Sequence, residues 1–325
     1  MNLVLDIALL ALMGIVAIAI IRLRDLVAVT MLASLYSLLA ATMFVILDAA
    51  DVAFTEAAVG AGISTVLMLA ALNLTGFTEK VPLRSAFVPG LIVIATGLVL
   101  GYGVMDLPRY GDPSAPIHLH VAPKYLQDTG PEIGIPNVVT AVLASYRGYD
   151  TLGETTVIFT AGLGVTLLLS GRRRRKDTRA TPEPIMNDQP IARILTKALV
   201  PLILLFGLYV QVHGEASAGG GFQAGVILGA AVILYGLVFG LDAAKRAVPL
   251  GLLYPASGIG VLIYGGVGIA SQLLGRDYLD YGVLAGDFVA GQKLGITLVE
   301  AGVGLTVASV MIIVFLEFAG RRDAA

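Results

Sequence analysis

The stretch Asp51-Val-Ala-Phe-Thr-Glu56-Ala-Ala-Val-Gly60-Ala-Gly62-Ile-Ser-Thr-Val-Leu-Met-Leu-Ala-Ala-Leu-Asn-Leu74 decides how the whole chain is read. From Val52 to Leu74 it is long and apolar enough to cross a bilayer, yet it carries a carboxylate, Glu56, near its start. A charged carboxylate near the centre of a membrane helix costs about 2.5–3.5 kcal/mol on insertion scales, and less toward the interface. An acid kept there faces other protein or a water path, and its default role is that of a proton or cation relay. Its surroundings are small: Ala57, Ala58, Gly60, Ala61, Gly62, Ser64 and Thr65 let neighbouring helices approach closely. Gly60 and Gly62, one turn beyond the acid, also permit local unwinding or a π-bulge. The competing reading is a carboxyl near the outer end that bonds a neighbouring helix and never titrates.

The rest of the chain is of one kind with this stretch. Its 325 residues are 57% hydrophobic and only 14% charged, with a mean hydropathy of +0.88. A soluble protein needs far more polar surface, so a soluble enzyme is excluded. Net charge is −2, which suggests no nucleic-acid partner. Cys is absent, so disulfides, thiolate metal sites and Cys-ligated clusters are ruled out. His118, His120 and His213 are too scattered for haem or zinc, and neither a cofactor nor a metal site is expected. With no Trp, any interfacial belt is built from Tyr. The first apolar run, from Val4, lacks a basic lead and a small-residue cleavage site, and reads as a retained span.

Nine spans are predicted: Val4–Ile21, Leu26–Leu47, Val52–Leu74, Val88–Val104, Thr155–Ser170, Thr196–Val212, Gly221–Gly240, Leu250–Leu274 and Leu294–Phe318. All are read as helices, because a helix satisfies every backbone group inside lipid. The expectation is therefore an all-α polytopic membrane protein. One side collects Arg22, Arg24, Lys80, Arg84, the tract Arg172 to Lys176, Arg179, Arg193, Lys245, Arg246, Arg321 and Arg322. The other holds mainly Arg109, Lys124, Arg147, Arg276 and Lys293. This bias puts the N-terminus outside and the C-terminus in the cytoplasm. The arginine tract reads as an orientation signal in contact with lipid headgroups.

Two long segments lie between spans. The external loop, residues 105–154, carries three basic and six acidic residues and several X-Pro steps, and much of it reads as irregular. Within it, Ile135–Tyr146 fits a short amphipathic helix starting at Pro136 and lying along the membrane surface. The basic, Pro-containing segment 172–195 reads as a cytoplasmic linker between a five-span and a four-span half.

Further acids qualify as relay candidates. Glu300 follows Lys293 by seven residues on one helical face, among Gly295, Gly302 and Gly304. With Lys293 at the outer interface, Glu300 lies about 10 Å in. A Lys-to-Glu pair there binds a cation transiently or stabilises the acid; the alternative is an acid buried against a polar group of a partner. Glu317 is expected to be solvated or paired with Arg321. Glu154 opens the fifth span, where Thr151 and Glu154 fit a capping box; a cation-entry role is the other reading. The turn His213-Gly-Glu-Ala-Ser-Ala-Gly-Gly-Gly-Phe-Gln-Ala-Gly225 contains Gly219, Gly220 and Gly221, whose free N–H groups suit an anion. It lacks the Lys-Ser/Thr of a phosphate loop, and a tight packing turn is the plainer reading. Gly258, Gly260, Gly265, Gly266 and Gly268 make the eighth span a packing surface.

These motifs resemble known modules. Asp51-Val-Ala-Phe-Thr-Glu56 through Gly62 is similar to the third span of MbhD-type (DUF4040) modules. Arg147-Gly-Tyr-Asp-Thr-Leu-Gly-Glu154 resembles the MbhE type. His213-Gly with Gly219 to Gly225, and Gly286-Asp-Phe288, resemble the MnhB/MrpB family. The resemblance implies a fusion: an MbhD-like three-helix module at 1–80, an MbhE-like two-helix module at 81–171, the linker at 172–195, and an MrpB-like four-helix module at 196–325. Departures are Ala218, where a Pro commonly precedes the glycines, and Glu56 with Gly60, where MrpA C-terminal regions carry Gln and Glu.

The resemblance implies a component of a Mrp-type multisubunit Na+(K+)/H+ antiporter in a prokaryotic cell membrane. Its partners would be MrpA-, MrpC- and MrpD-like and small subunits, with Na+ or K+, H+ and lipid as its other contacts. The alternatives are a membrane-arm component of a redox-driven pump related to membrane-bound hydrogenase, and a non-conducting scaffold.

Overall fold

The computed structural model describes residues 3–79, 87–170 and 189–320. Its spans open with α1 (Leu3–Arg22) and α2 (Leu26–Ile46). The third, Ala50–Thr75, is one continuous rod made of α3 (Ala50–Thr55), a π-helical stretch Glu56–Ile63 and α4 (Ser64–Thr75). Then come α5 (Phe87–Met105), the short helices α6 (Pro116–Leu119), α7 (Val121–Glu132) and α8 (Val138–Ala141), a π-turn Val142–Tyr146, and α9 (Gly148–Ser170). The second half runs α10 (Pro190–His213), α11 (Gly221–Phe239), α12 (Leu241–Ala247), α13 (Leu250–Leu273), a 3-10 turn Tyr281–Leu284, and α14 (Phe288–Ala319). Among the described residues nine helices are long and apolar enough to cross a membrane, and no strand forms beyond one isolated bridge between Asp25 and Thr78.

The helix starts follow local chemistry. Asp25 caps α2, its Oδ1 accepting from the Val27 and Ala28 N–H groups at 2.9 and 3.1 Å. The same turn is tied to the end of the third span, where Leu26 N–H donates to Phe77 O at 2.8 Å and Glu79 N–H to Arg24 O at 3.0 Å. Asp287 caps α14 through the Ala290 N–H at 3.0 Å, well ahead of the Leu294 start read from hydropathy.

The core is organised about α14, which packs against α13, α11 and α9 and is the most buried span, while no residue of α5 is buried. Small residues set the close approaches. A Cβ on Gly302 would lie 2.6 Å from the Gly260 carbonyl, and one on Gly225 would lie 2.7 Å from the Gly304 carbonyl. The glycines of α13 divide: Gly260 meets α14 and Gly268 lies under the Tyr278 ring, whereas Gly266 faces open space.

Four expectations are corrected. The loop over residues 105–154 is largely helical rather than irregular, through α6, α7 and α8. The helix within Ile135–Tyr146 starts later than expected. Asn137, not Pro136, sets its start as the cap of α8, which begins at Val138, and Ile135, Asn137, Thr140, Ala141 and Ala144 are buried inside the protein. The capping box at Glu154 is absent, because α9 begins at Gly148; Thr151 is inside it and donates to Leu143 O at 2.8 Å. Glu317 is buried and accepts the Tyr254 hydroxyl at 2.9 Å. Its expected partner Arg321, with Arg322, the arginine tract 172–176, Arg179, Lys80 and Arg84, lies outside the described residues.

Candidate functional site

Glu56 is the first residue of the π-helical stretch and is half-buried. Its side chain folds back over Gly60. A Cβ there would lie 2.7 Å from Glu56 Oε1 and 2.6 Å from Ser37 Oγ of α2, so Gly60 makes the room in which acid and hydroxyl approach. A π-turn leaves carbonyls short of their usual partners. Hydroxyls take them up: Ser64 Oγ donates to Gly60 O at 2.6 Å, Ser34 Oγ to Ala61 O at 2.9 Å and Thr65 Oγ1 to Ala61 O at 3.2 Å. The unwinding expected at Gly60 and Gly62 is thus present, and α2 supports it.

A second cluster gathers where three distant parts of the chain meet. The Gly219-Gly220-Gly221 turn offers its N–H groups to two carboxylates. Gly219 N–H donates to Asp51 Oδ1 at 3.0 Å, and Gly221 N–H donates to Glu300 Oε2. Gly220 has φ +125°, ψ −178°, and its own N–H bonds Val210 O at 3.2 Å. The anion suited to this turn is therefore supplied by the protein itself. Asn137 joins the cluster, its Nδ2 donating to Ser217 O at 2.8 Å and Gly214 O at 3.1 Å. Gln223 Nε2 donates to Thr55 Oγ1 at 2.9 Å, which links the turn to the residue before Glu56.

Beyond the turn, two wholly buried tyrosines tie α9 and the π-turn before it to the last spans. Tyr264 donates to Gly148 O and Tyr281 to Ala144 O, each at 2.8 Å. Burial pushes the Tyr281 phenol up. Nearer the outer surface of the loop, Tyr146 donates to Glu132 Oε2 at 2.5 Å and Lys124 donates to Glu132 Oε1 at 3.2 Å. Burial, then the bond to Glu132, pushes Tyr146 up to about 12. The Tyr146 hydroxyl, then Lys124, holds Glu132 below the usual carboxylate value, and Glu132 raises Lys124 in turn.

The remaining candidates stand apart from these clusters. Lys293 is exposed, and among the described residues no ion pair joins it to Glu300, because seven residues of helix separate them and Glu300 turns to Gly221 instead. Glu154 is exposed on α9. Sequence reasoning missed two acids. Asp51 is 9% exposed, and Asp6 in α1 is 1% exposed, with neither of its oxygens bonded among the described residues. Both stand near the start of an apolar run, the signal that singled out Glu56.

Fold and clusters together define a polytopic helical membrane protein that holds carboxylates between its spans. Three family models match in tandem: MbhD, the D subunit of MBH, over residues 11–76; MbhE, the E subunit of MBH, over 91–185; and "Domain related to MnhB subunit of Na+/H+ antiporter" over 191–313. The putative antiporter protein mnhB2 of Staphylococcus aureus (strain Newman) is 31% identical over 136 residues, covering 41% of this chain and 96% of the relative. The probable K(+)/H(+) antiporter A/B subunit of Rhizobium meliloti (strain 1021) is 26% identical over 260 residues, 73% of this chain and 26% of that protein. A chain of the Mrp complex from Dietzia sp. DQ12-45-1b superposes with a TM-score of 0.75 at 27% identity, covering 98% of this chain and 35% of that one. The chain belongs to the MnhB family of antiporter subunits, with MbhD and MbhE domains ahead of its MnhB domain. It is a multi-pass protein of the prokaryotic cell membrane. It spans about a quarter of the Rhizobium protein and about a third of the Dietzia chain.

Proposed function

We propose that this chain is an integral component of a multisubunit Mrp-type antiporter exchanging Na+ or K+ for H+, and that Glu56 relays protons or cations within it. The observation that carries the relay is the placement of Glu56: a half-buried carboxyl at the first residue of a π-helical stretch, beside the Ser37 hydroxyl and above Gly60. Half-burial leaves one side of the acid open to an adjoining subunit or water, as a transfer site requires. Glu300 is the second acid of the path, held at the glycine turn; Glu154 and Lys293, both exposed, meet neighbouring subunits or the interface. In this reading Asp51, the glycine turn and Lys293 lie at the outer end of the spans, and the modules divide at 80/81 and 171/172, with the third from 196.

The MbhD and MbhE matches, together with the likeness of 70% of this chain to a chain of a membrane-bound sulfane sulfur reductase (TM-score 0.52, 26% identity), favour a second reading. In it the chain belongs to the membrane arm of a redox-driven pump. Mild detergent extraction of the native membrane separates the two. Antiporter-like membrane subunits without iron–sulfur or nickel proteins are expected to co-purify; redox proteins in stoichiometric amount would shift the assignment to the pump.

A further inference from the structure

The Asn137 amide is placed as a cation would be. Its Nδ2 lies 2.8 Å from Ser217 O, 3.1 Å from Gly214 O and 3.5 Å from both Asp51 Oδ1 and Asp51 Oδ2. An amide nitrogen has two hydrogens, so it serves two of these four oxygens. The two carbonyls are nearest, and 3.5 Å is too long for an effective bond to the carboxylate. The amide cannot be turned round, because its Oδ1 caps α8 by accepting the Val139 N–H at 2.9 Å and the Thr140 N–H at 3.4 Å. Asp51 Oδ1 has the Gly219 N–H, whereas Oδ2 has, among the described residues, only the 3.5 Å contact. Asp51 is buried, and among the described residues no Lys or Arg pairs with it. A buried carboxylate with one good hydrogen bond and no counter-charge is costly unless a positive charge joins it.

We propose that Asp51, Gly214 O and Ser217 O form a binding site for a monovalent alkali cation, in which the Asn137 amide stands in for the ion. The donor set is all oxygen, with a single carboxylate and neutral carbonyls, which suits a hard ion of single charge better than a divalent one. The spacing of 2.8–3.5 Å about Nδ2 leaves room for an alkali ion once the amide swings away. The Thr140 hydroxyl, 2.7 Å from Gly214 O, is an adjacent oxygen able to join the shell. Asp51, Asn137 and the Gly214–Ser217 turn come from three different domains, so an ion here ties all three together. The proposal rests on the antiporter reading only in expecting Na+ or K+ at this protein.

The test is equilibrium binding of radiolabelled sodium and rubidium to the purified full chain in choline buffer. Asn137→Ser keeps a capping oxygen and removes the amide, and is expected to tighten binding by about tenfold or more relative to wild type. Adding Asp51→Asn should return binding to background, while Asp242→Asn, at an exposed acid of α12 away from the site, leaves it unchanged. Equal binding by Asn137→Ser and the double variant overturns the site. If Asn137→Ser does not fold, wild type against Asp51→Asn decides: saturable binding lost in the variant supports it, and identical binding overturns it.

Discussion

Glycine at 220 and 221 answers two different demands. Gly220, at φ +125° and ψ −178°, occupies backbone space open almost only to glycine, and its Cβ position lies 2.9 Å from Glu300 Oε2. Gly221 needs no left-handed backbone, but a Cβ there would run into the Glu300 carbonyl. Gly220→Ala is expected to cost about 1–3 kcal/mol, and Gly221→Ala at least as much, because backbone rather than a flexible side chain must yield. Gly286→Ala, with open space around its Cβ, is the neutral control. Thermal unfolding in detergent checks all three. At this scale Glu56 and Glu300 were legible as acids in apolar runs, while Asp51 and Asp6 were overlooked, and the partners of Asp51 and Glu300 were not legible. Asp51 and Glu300 find the same turn from 168 and 79 residues away, and nothing local to either residue encodes that.

Elements were the most legible level, because nine stretches of sustained hydropathy coincide with nine long helices among the described residues. Their ends were less so, since α9 starts in polar sequence at Gly148 and α14 at Phe288, just after Asp287, where capping and burial decide rather than hydropathy. In Ile135–Tyr146 the buried side includes the polar Asn137 and Thr140 beside Ala141 and Ala144, while Val138, Val139 and Val142 are half-buried and Leu143 is exposed, so hydrogen bonding and not hydropathy alone decides how it packs. The α13–α14 contact makes a sharp prediction. Gly260→Val drives a side chain into Gly302 O and Thr306 and is expected to destabilise by more than about 3 kcal/mol, whereas Gly266→Ala on the same helix should be near neutral; Tm values compare them. The α7–π-turn contact predicts a pH dependence. Glu132 titrates lower in the folded chain than its ordinary 4.5. Its contribution is therefore complete above that value and is lost as pH falls through the depressed folded one. Tyr146→Phe removes the largest cause, so the Glu132 titration, followed by NMR of a labelled carboxyl, should move up toward the ordinary value.

At the scale of the molecule, three domains that are matched separately along the chain are bound into one structure by buried polar contacts. Thr55 and Asp51 of the first meet Gln223 and Gly219 of the third, and Asn137 and Gly148 of the second meet Ser217 and Tyr264 of the third. Motif resemblance made the modules legible, while their docking was not, because every one of these contacts spans tens of residues and most use backbone groups that any sequence possesses. The π-helical stretch with Glu56 follows Thr55, which is bonded to Gln223 at this junction, so the relay proposed for Glu56 would sit where the domains meet. Antiport by the assembled complex in everted vesicles, with Glu56→Gln and Glu56→Asp set against wild type, tests that directly. The account predicts that Glu56→Gln assembles normally yet loses at least about tenfold of cation-dependent proton exchange, with Glu56→Asp restoring part of it. Wild-type exchange and an unchanged pH profile in an assembled Glu56→Gln complex would contradict it.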